Sequence, residues 1–449
     1  MELIKYDGDI GNIDFLNLMV IDISGKIRNV TLPESFVNEK VFNEGIGFDA
    51  SNYGFAPVTN SDMVAVPDMD TAFVEFRDGY KTLHTLCDVR FVDGGLFDQY
   101  PRSVARNTTN YVKKKTGADE ISMLVELEFH VFDDVEISNG KTHASYRLHS
   151  EEGIGDIYSQ SPCGGLQSRY HSTHPEDIYL DLRNEATALM TEIGVPVKYH
   201  HHEVSVCQME IELDFMPLMK ASDAVSIAMW IIRNCAQERG LHVTFMPKPM
   251  YNLAGNGMHV HQYLKKNGKS MFPGKRKADL NDMAINYTGG LIKHSLSGAL
   301  LAFTNPSTNS FRRLVRGFEA PVSGTFAAGS RSAAVRIPGY ASKDEWRVEY
   351  RTGDASANIY LMLSAMGLAG TDGILSEHDA EKSGYHSSDA KEKLFPLNLD
   401  AVLDGLQEDK SFLTAIFPET LINMWIKRKR REAAYIYNAP TARELEIYF

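Results

Sequence analysis

The chain has 449 residues, 43% of them hydrophobic, so it can bury a large core and divide into more than one domain. Its formal net charge of -13 argues against a nucleic-acid binder, which needs a basic surface. Four dispersed cysteines (Cys87, Cys163, Cys207, Cys235) without a C-x-x-C pair suit a reducing compartment. The opening MELIKYDGDI has no secretory signal, and no apolar run reaches membrane-spanning length, so the expectation is a cytoplasmic protein with no membrane partner.

In chain order, FLNLMVIDISGKIRNVTLP predicts a β-hairpin about the turn dipeptide Ser24-Gly25, and short strand-like runs continue to about residue 98. PRSVARNTTNYVKKKTG (101–117) reads as a helix with proline in its first turn and glycine at its end, which sets a domain boundary near residue 100. PEDIYLDLRNEATALMTEIG (175–194) predicts a helix with Ile178, Leu182, Leu189 and Ile193 on one face. SDAVSIAMWIIRNCAQERG (222–240) predicts a second, and LHVTFMP a strand after it. The polar stretch 376–393 reads as a loop. Uneven spacing of strands and helices favours an α+β fold over a doubly wound sheet.

Four strands carry chemistry on one face, because residues i and i+2 of a strand point the same way. MLVELEFHVF groups Glu126, Glu128 and His130; QMEIEL groups Glu210 and Glu212; GMHVHQYL pairs His259 with His261; EWRVEYR aligns Arg347, Glu349 and Arg351. One such strand is ordinarily a solvated sheet face. Four together suggest a site, because clustered carboxylates repel unless cations intervene. An oxygen-rich set with an occasional imidazole suits Mg²⁺ or Mn²⁺ better than zinc. The His200–His202 run lacks zinc spacing and is read as structural. Between residues 312 and 351 stand seven arginines against four acids and one lysine, a set suited to phosphate and carboxylate. KKNGKSMF has Tyr263 where a P-loop needs glycine, and EEGIGDIY is an incomplete dinucleotide fingerprint, so a bound nucleotide would depend on metal and arginine.

These segments, in this order, resemble the bacterial and archaeal type I glutamine synthetases. ELEFHVFDD resembles the family's E-P-E-F-F strand, and HHEVSVCQMEIEL its H-H-E-V…Q-x-E-I strand. TFMPKP with AGNGMHVH resembles the ATP-region signature, and TNPSTNSFRRLVRGFEAPV the flap. SRSAAVRIP and VEYR match the last two blocks.

The resemblance implies an N-terminal β-grasp domain (1–100) and a larger catalytic domain (101–449) with a curved antiparallel sheet and surrounding helices. It further implies a homododecamer of two stacked six-membered rings with active sites between subunits. The implied reaction is ATP-dependent ligation of ammonia to L-glutamate through γ-glutamyl phosphate. Glu128, Glu203 and Glu210 would hold the metal near glutamate, and Glu126, His259 and Glu349 the metal near the phosphates of ATP. Tyr170, Gly255, Arg313, Glu319 and Arg351 would bind substrate, while His261, Arg331, Arg336 and Arg347 face ATP. Asp49, in FDASN, would bind and deprotonate ammonium in a neighbouring subunit's site, with Tyr170 nearby. Glu319 and Arg331 would join it in catalysis.

Several positions depart from the family. Ala254 stands where an asparagine often contacts glutamate, with Asn252 and Asn256 as possible substitutes. Asn52 and Tyr263 each replace a serine, and Gly329 replaces an arginine. Phe395 occupies the place of an adenylylated tyrosine, so that modification is not expected there. These departures keep open a γ-glutamyl ligase for an organic amine or polyamine. A non-catalytic structural or regulatory relative is a further alternative, against which the six matched metal positions argue. The basic run IKRKRREAAY (426–435) is read as solvent-facing or covering a subunit contact.

Overall fold

A computed structural model describes residues 1–8, 11–56, 58–153, 166–388 and 392–449. Cys163 and most of EEGIGDIY lie outside the described residues, as do residues 389–391 of the polar stretch.

The first sheet comprises β1 (Glu2–Lys5), β2 (Phe15–Ile21), β3 (Ile27–Pro33), β4 (Ile46–Asp49), β5 (Asp62–Pro67), β6 (Phe73–Arg77) and β7 (Tyr80–Phe91). The strand order is β1-β6-β7-β2-β3, with β5 pairing the far half of β7 and β4 at its edge. β2 and β7 run parallel, and the expected hairpin is β2–β3. Its turn is closed by the Asp22 carboxylate, which accepts from Ser24 N at 2.9 Å and Lys26 N at 3.0 Å. Gly25 has φ +84, and a Cβ there would lie 2.9 Å from Asn358 Cα, so both backbone and packing favour glycine.

The helix Pro101–Thr116 has the proline start and glycine end read from sequence. Its Arg102 is fully buried and reaches Asp223 at 2.9 Å, Asp88 at 2.8 Å and Asp68 at 2.8 Å, tying the first sheet to the second unit. A buried guanidinium of this kind needs its carboxylates, since an unpaired buried charge is costly.

The second sheet contains β8 (Glu120–Phe132), β11 (Val197–His202), β12 (Gln208–Leu213), β13 (Met216–Pro217), β14 (His242–Thr244), β15 (Val260–Lys266), β16 (Lys269–Ser270), β17 (Phe326–Ala328), β18 (Val335–Ile337) and β19 (Val348–Tyr350). A separate hairpin joins β9 (Asp134–Asn139) to β10 (Ala144–His149). The main order is β11-β12-β8-β15-β19-β18-β17. The expected antiparallel pattern holds along this path except at its end, where β17 and β18 pair in parallel. Residues 329–334 join the two strands.

Helices Asp282–Leu296 and Ile359–Leu375 pack closely behind the sheet. A Cβ on Gly290 would meet Ala369 O at 2.1 Å, so their contact depends on small residues. The helix read over 175–194 begins only at Leu180, leaving Ile178 exposed in the preceding turn. The next helix starts four residues before the Ser/Asp signal, at Leu218. Pro217 is its N-cap residue, and no side chain caps the helix. In the basic run, Lys429 lies over the Trp425 ring and Arg430 pairs with Asp400 and Asp404, so part of its charge is neutralised within the chain. Among the described residues, no helix is long and apolar enough to cross a membrane.

Candidate active site

The register of four strands brings the acidic residues together. Glu210 pairs with Glu128, Glu212 with Glu126, and His261 stands opposite both Leu124 and Glu349. All six residues expected to hold metal (Glu126, Glu128, Glu203, Glu210, His259 and Glu349) line one cavity of about 520 Å³. Tyr170, Gly255, Arg313, Glu319, Arg331, Arg336 and Arg351 line the same cavity.

His259 Nδ1 lies 2.5 Å from Glu126 Oε2 and 3.7 Å from Glu128 Oε1. Glu128 Oε2 accepts from Gly257 N at 2.9 Å and from Gln208 Nε2 at 3.1 Å. A Cβ on Gly257 would fall 2.5 Å from Arg313 Nη2, 2.8 Å from His259 Nε2 and 3.0 Å from Glu128 Oε1. The backbone therefore comes as close to these groups as a glycine allows. Glu349 is enclosed by Arg336, at 2.5 Å, and Arg351.

Charge divides the site. Burial would raise Glu126, but the imidazoles of His259 and His261 overcome it and hold the carboxyl well below its usual range. Glu349 is likewise lowered against burial, by His261 and Arg351. Burial and the Glu128 carboxylate push Glu203 up to about 8. Burial, then Glu126 and Glu203, raise Glu210 well above the carboxylate range. The Glu203–Glu210 side is thus short of positive charge, and its oxygen donors with a nearby imidazole fit Mg²⁺ or Mn²⁺. Ligand atoms within 4.8 Å of one another group as Glu126–Glu128–His259, Glu126–His261–Glu349 and His201–Glu203–Glu210.

The placement of His261 and Arg347 differs from the sequence expectation. His261 and Arg347 are buried behind the cavity wall: Arg347 Nε donates to His261 Nδ1 at 3.1 Å, and His261 Nε2 bonds Glu126 Oε1 at 2.8 Å. Here they brace Glu126 and do not line the cavity. His130 shares a strand face with Glu126 and Glu128 but turns to Asn256 Oδ1, 2.8 Å away. Asp49 lies at the exposed end of β4, away from this cavity, with its carboxylate accepting from Ser51 N at 2.8 Å.

Sequence reasoning missed His201, Gln208, Tyr199 and Tyr340. His201, assigned a structural role from sequence, lines the cavity with Nε2 3.4 Å from Glu210 Oε1. Its signal was its place opposite Glu210 in the β11–β12 pair, legible only once the register is known. The departure at Ala254 is not repaired by its neighbours. Asn256 is buried and its amide donates to Met246 O at 2.9 Å, while Asn252 is outside the cavity lining.

A β-grasp unit, followed by a helix-backed sheet whose carboxylates face guanidinium groups across one cavity, defines a protein built to hold divalent cations and anionic substrates together. Residues 12–91 match the β-grasp domain of glutamine synthetase, and residues 98–448 match its catalytic domain. Glutamine synthetase from Bradyrhizobium diazoefficiens is 36% identical, covering 98% of this chain and 97% of the relative. The Salmonella typhimurium glutamine synthetase is 35% identical, with 97% of each covered. A Plasmodium falciparum glutamine synthetase structure superposes with a TM-score of 0.90 at 25% identity, covering 100% of both chains. A GmaS–ADP complex superposes with a TM-score of 0.80 at 25% identity, covering 97% of this chain and 96% of that one. The chain belongs to the glutamine synthetase family and is an enzyme of it.

Proposed function

We propose that this protein ligates ammonia to L-glutamate at the expense of ATP, through γ-glutamyl phosphate, giving glutamine, ADP and phosphate. The observation that carries the reading is the convergence of all six matched ligand positions with Arg313, Arg331, Arg336 and Arg351 on one cavity.

Divalent cations, Mg²⁺ or Mn²⁺, would be held by Glu128, Glu203 and Glu210 on one side and by Glu126, His259 and Glu349 on the other. When bound they supply neutralisation of phosphate charge. The chain's own groups then position and balance the reactants. Gly255 and Arg313 orient glutamate, and Arg351 and Arg336 sit where anionic oxygens need cations. Arg331 meets the transferring phosphoryl group, and phosphoryl transfer needs such placement more than it needs a protein nucleophile. His261 and Arg347 act from behind, through Glu126. Glu319, on the flap, closes the cavity against water. Asp49 from a neighbouring subunit takes the proton that ammonium must lose before it attacks. The reading includes a division between units near residue 100, a dodecamer of stacked hexamers and a cytoplasmic location.

A second reading, ligation of an organic amine, is favoured by Ala254 and by the commitment of Asn256 away from the cavity. The experiment is phosphate release by purified protein with ATP, Mg²⁺ and glutamate, with ammonium or a panel of amines. Turnover with ammonium supports the first reading. Turnover with an amine and none with ammonium transfers the assignment to the second.

A further inference from the structure

Lys248 joins three segments around the cavity. Its backbone N donates to Asn309 Oδ1 at 2.6 Å, and Asn309 Nδ2 donates back to Lys248 O at 3.1 Å. Its ammonium donates to Leu253 O, just before Ala254 and Gly255 in the cavity wall. The same ammonium sits 3.8 Å from the centroid of the Phe318 ring, next to Glu319. Its stem packs on the Gly255 backbone: a Cβ on Gly255 would be 3.2 Å from Lys248 Cδ.

The segment it touches needs holding. Glu319 is exposed and carries φ +56, a backbone region that a side chain other than glycine seldom occupies. Arg316 and Glu392 pair on the exposed side of the segment, and Glu319 reaches Arg331 only at 3.8 Å. The Phe318–Lys248 contact is the half-buried one. A cation over an aromatic face strengthens as water is excluded.

We propose that Lys248 is a positioning residue, a latch whose ammonium joins the Gly255 loop to the Phe318–Glu319 flap and so holds the flap over the cavity. The proposal rests on the ligase reading for its catalytic consequence and on geometry alone for the latch. It predicts that occupation of the glutamate side and closure of the flap are coupled through one side chain, because Leu253 and Phe318 share its ammonium.

The test compares wild type with Lys248→Met, Lys248→Arg and Phe318→Leu in the full-length protein. Hydrogen–deuterium exchange is read over residues 314–320, with β8 as the internal control. Lys248→Met should speed flap exchange by about three- to tenfold, the range set by a partly desolvated cation–π contact, and leave β8 unchanged. Lys248→Arg should restore it, and Phe318→Leu should reproduce the Met effect from the other side. In turnover, Lys248→Met should raise the KM for glutamate and the phosphate released without product, as water takes the acyl phosphate. The KM for ATP should stay the same. Unchanged flap exchange in both Lys248→Met and Phe318→Leu overturns the latch, even if the ligase reading stands. Absence of any ligase turnover in wild type overturns that reading, while the exchange data still decide the latch.

Discussion

Gly257→Ala probes the site at its tightest point. Ordinary contact begins near 3.4 Å, so a methyl group at 2.5, 2.8 and 3.0 Å from Arg313 Nη2, His259 Nε2 and Glu128 Oε1 forces retreats of about 0.9, 0.6 and 0.4 Å. Arg313 cannot yield freely, since its guanidinium donates to Thr352 O at 2.8 Å, Gly353 O at 3.2 Å and Arg351 O at 3.2 Å. The displacement therefore passes to His259 and Glu128. Overpacking costs ~1–3 kcal/mol, offset by ~0.4–1 kcal/mol from a stiffer unfolded chain, so folding loses between about 0 and 2.6 kcal/mol. Rate is the sharper readout: a misplacement approaching 1 Å costs on the order of 100-fold, about 2.7 kcal/mol of barrier. The assay pairs steady-state turnover with Mn²⁺ titration of chelator-stripped protein, using Gly339→Ala as control because nothing lies within 4 Å of a Cβ there. If Gly257→Ala folds and keeps both turnover and Mn²⁺ affinity within about threefold of wild type, the reasoning about His259 and Glu128 is refuted.

Two further predictions concern charge. Glu210→Gln removes a carboxyl that burial, Glu126 and Glu203 hold well above its usual range at a cost to the fold, so chelator-treated Glu210→Gln should melt higher than chelator-treated wild type. The gain in melting temperature on adding Mn²⁺ should shrink; a full wild-type gain would remove Glu210 from the ligand set. His294→Gln addresses a buried clamp outside the cavity, where Nε2 meets Asp372 at 2.8 Å and Nδ1 meets Asp409 at 2.7 Å. Burial lowers His294, but bonds to the two aspartates outweigh it and leave its folded value above 6.5, while both aspartates are lowered. The histidine's contribution is complete below its unfolded value and fades as pH rises through the folded one. The aspartates' contribution is lost only in acid. Wild type should exceed His294→Gln by about 1–3 kcal/mol at pH 5.5 and by less at pH 9, in urea melts. A gap that does not change across that range would show that the imidazole is not charged in the fold.

Much of the fold could be read from local pattern. The β2–β3 hairpin and the Pro101–Thr116 helix follow from turn and cap residues acting within a few positions. Period-two alternation correctly placed Glu126 with Glu128 and Glu210 with Glu212 on shared faces. Local pattern failed where a distant partner decides. The Leu218 helix starts at a proline between a short strand and the core. β17 and β18 pair in parallel at the end of an otherwise antiparallel path, and the His130 ring is taken up by an asparagine 126 positions away.

The sequence by itself determined which residues could do chemistry, because charge, ligand hardness and family pattern are properties of side chains and their order. Only the tertiary structure decided which of them meet. Strand register is a long-range choice, and it placed His201 against Glu210 and put Arg347 behind His261. It also left Glu203 and Glu210 among like charges while Glu126 gained two imidazoles. The same carboxylate type is therefore raised on one side of the cavity and lowered on the other, since its proton affinity depends on neighbours that the linear order does not specify.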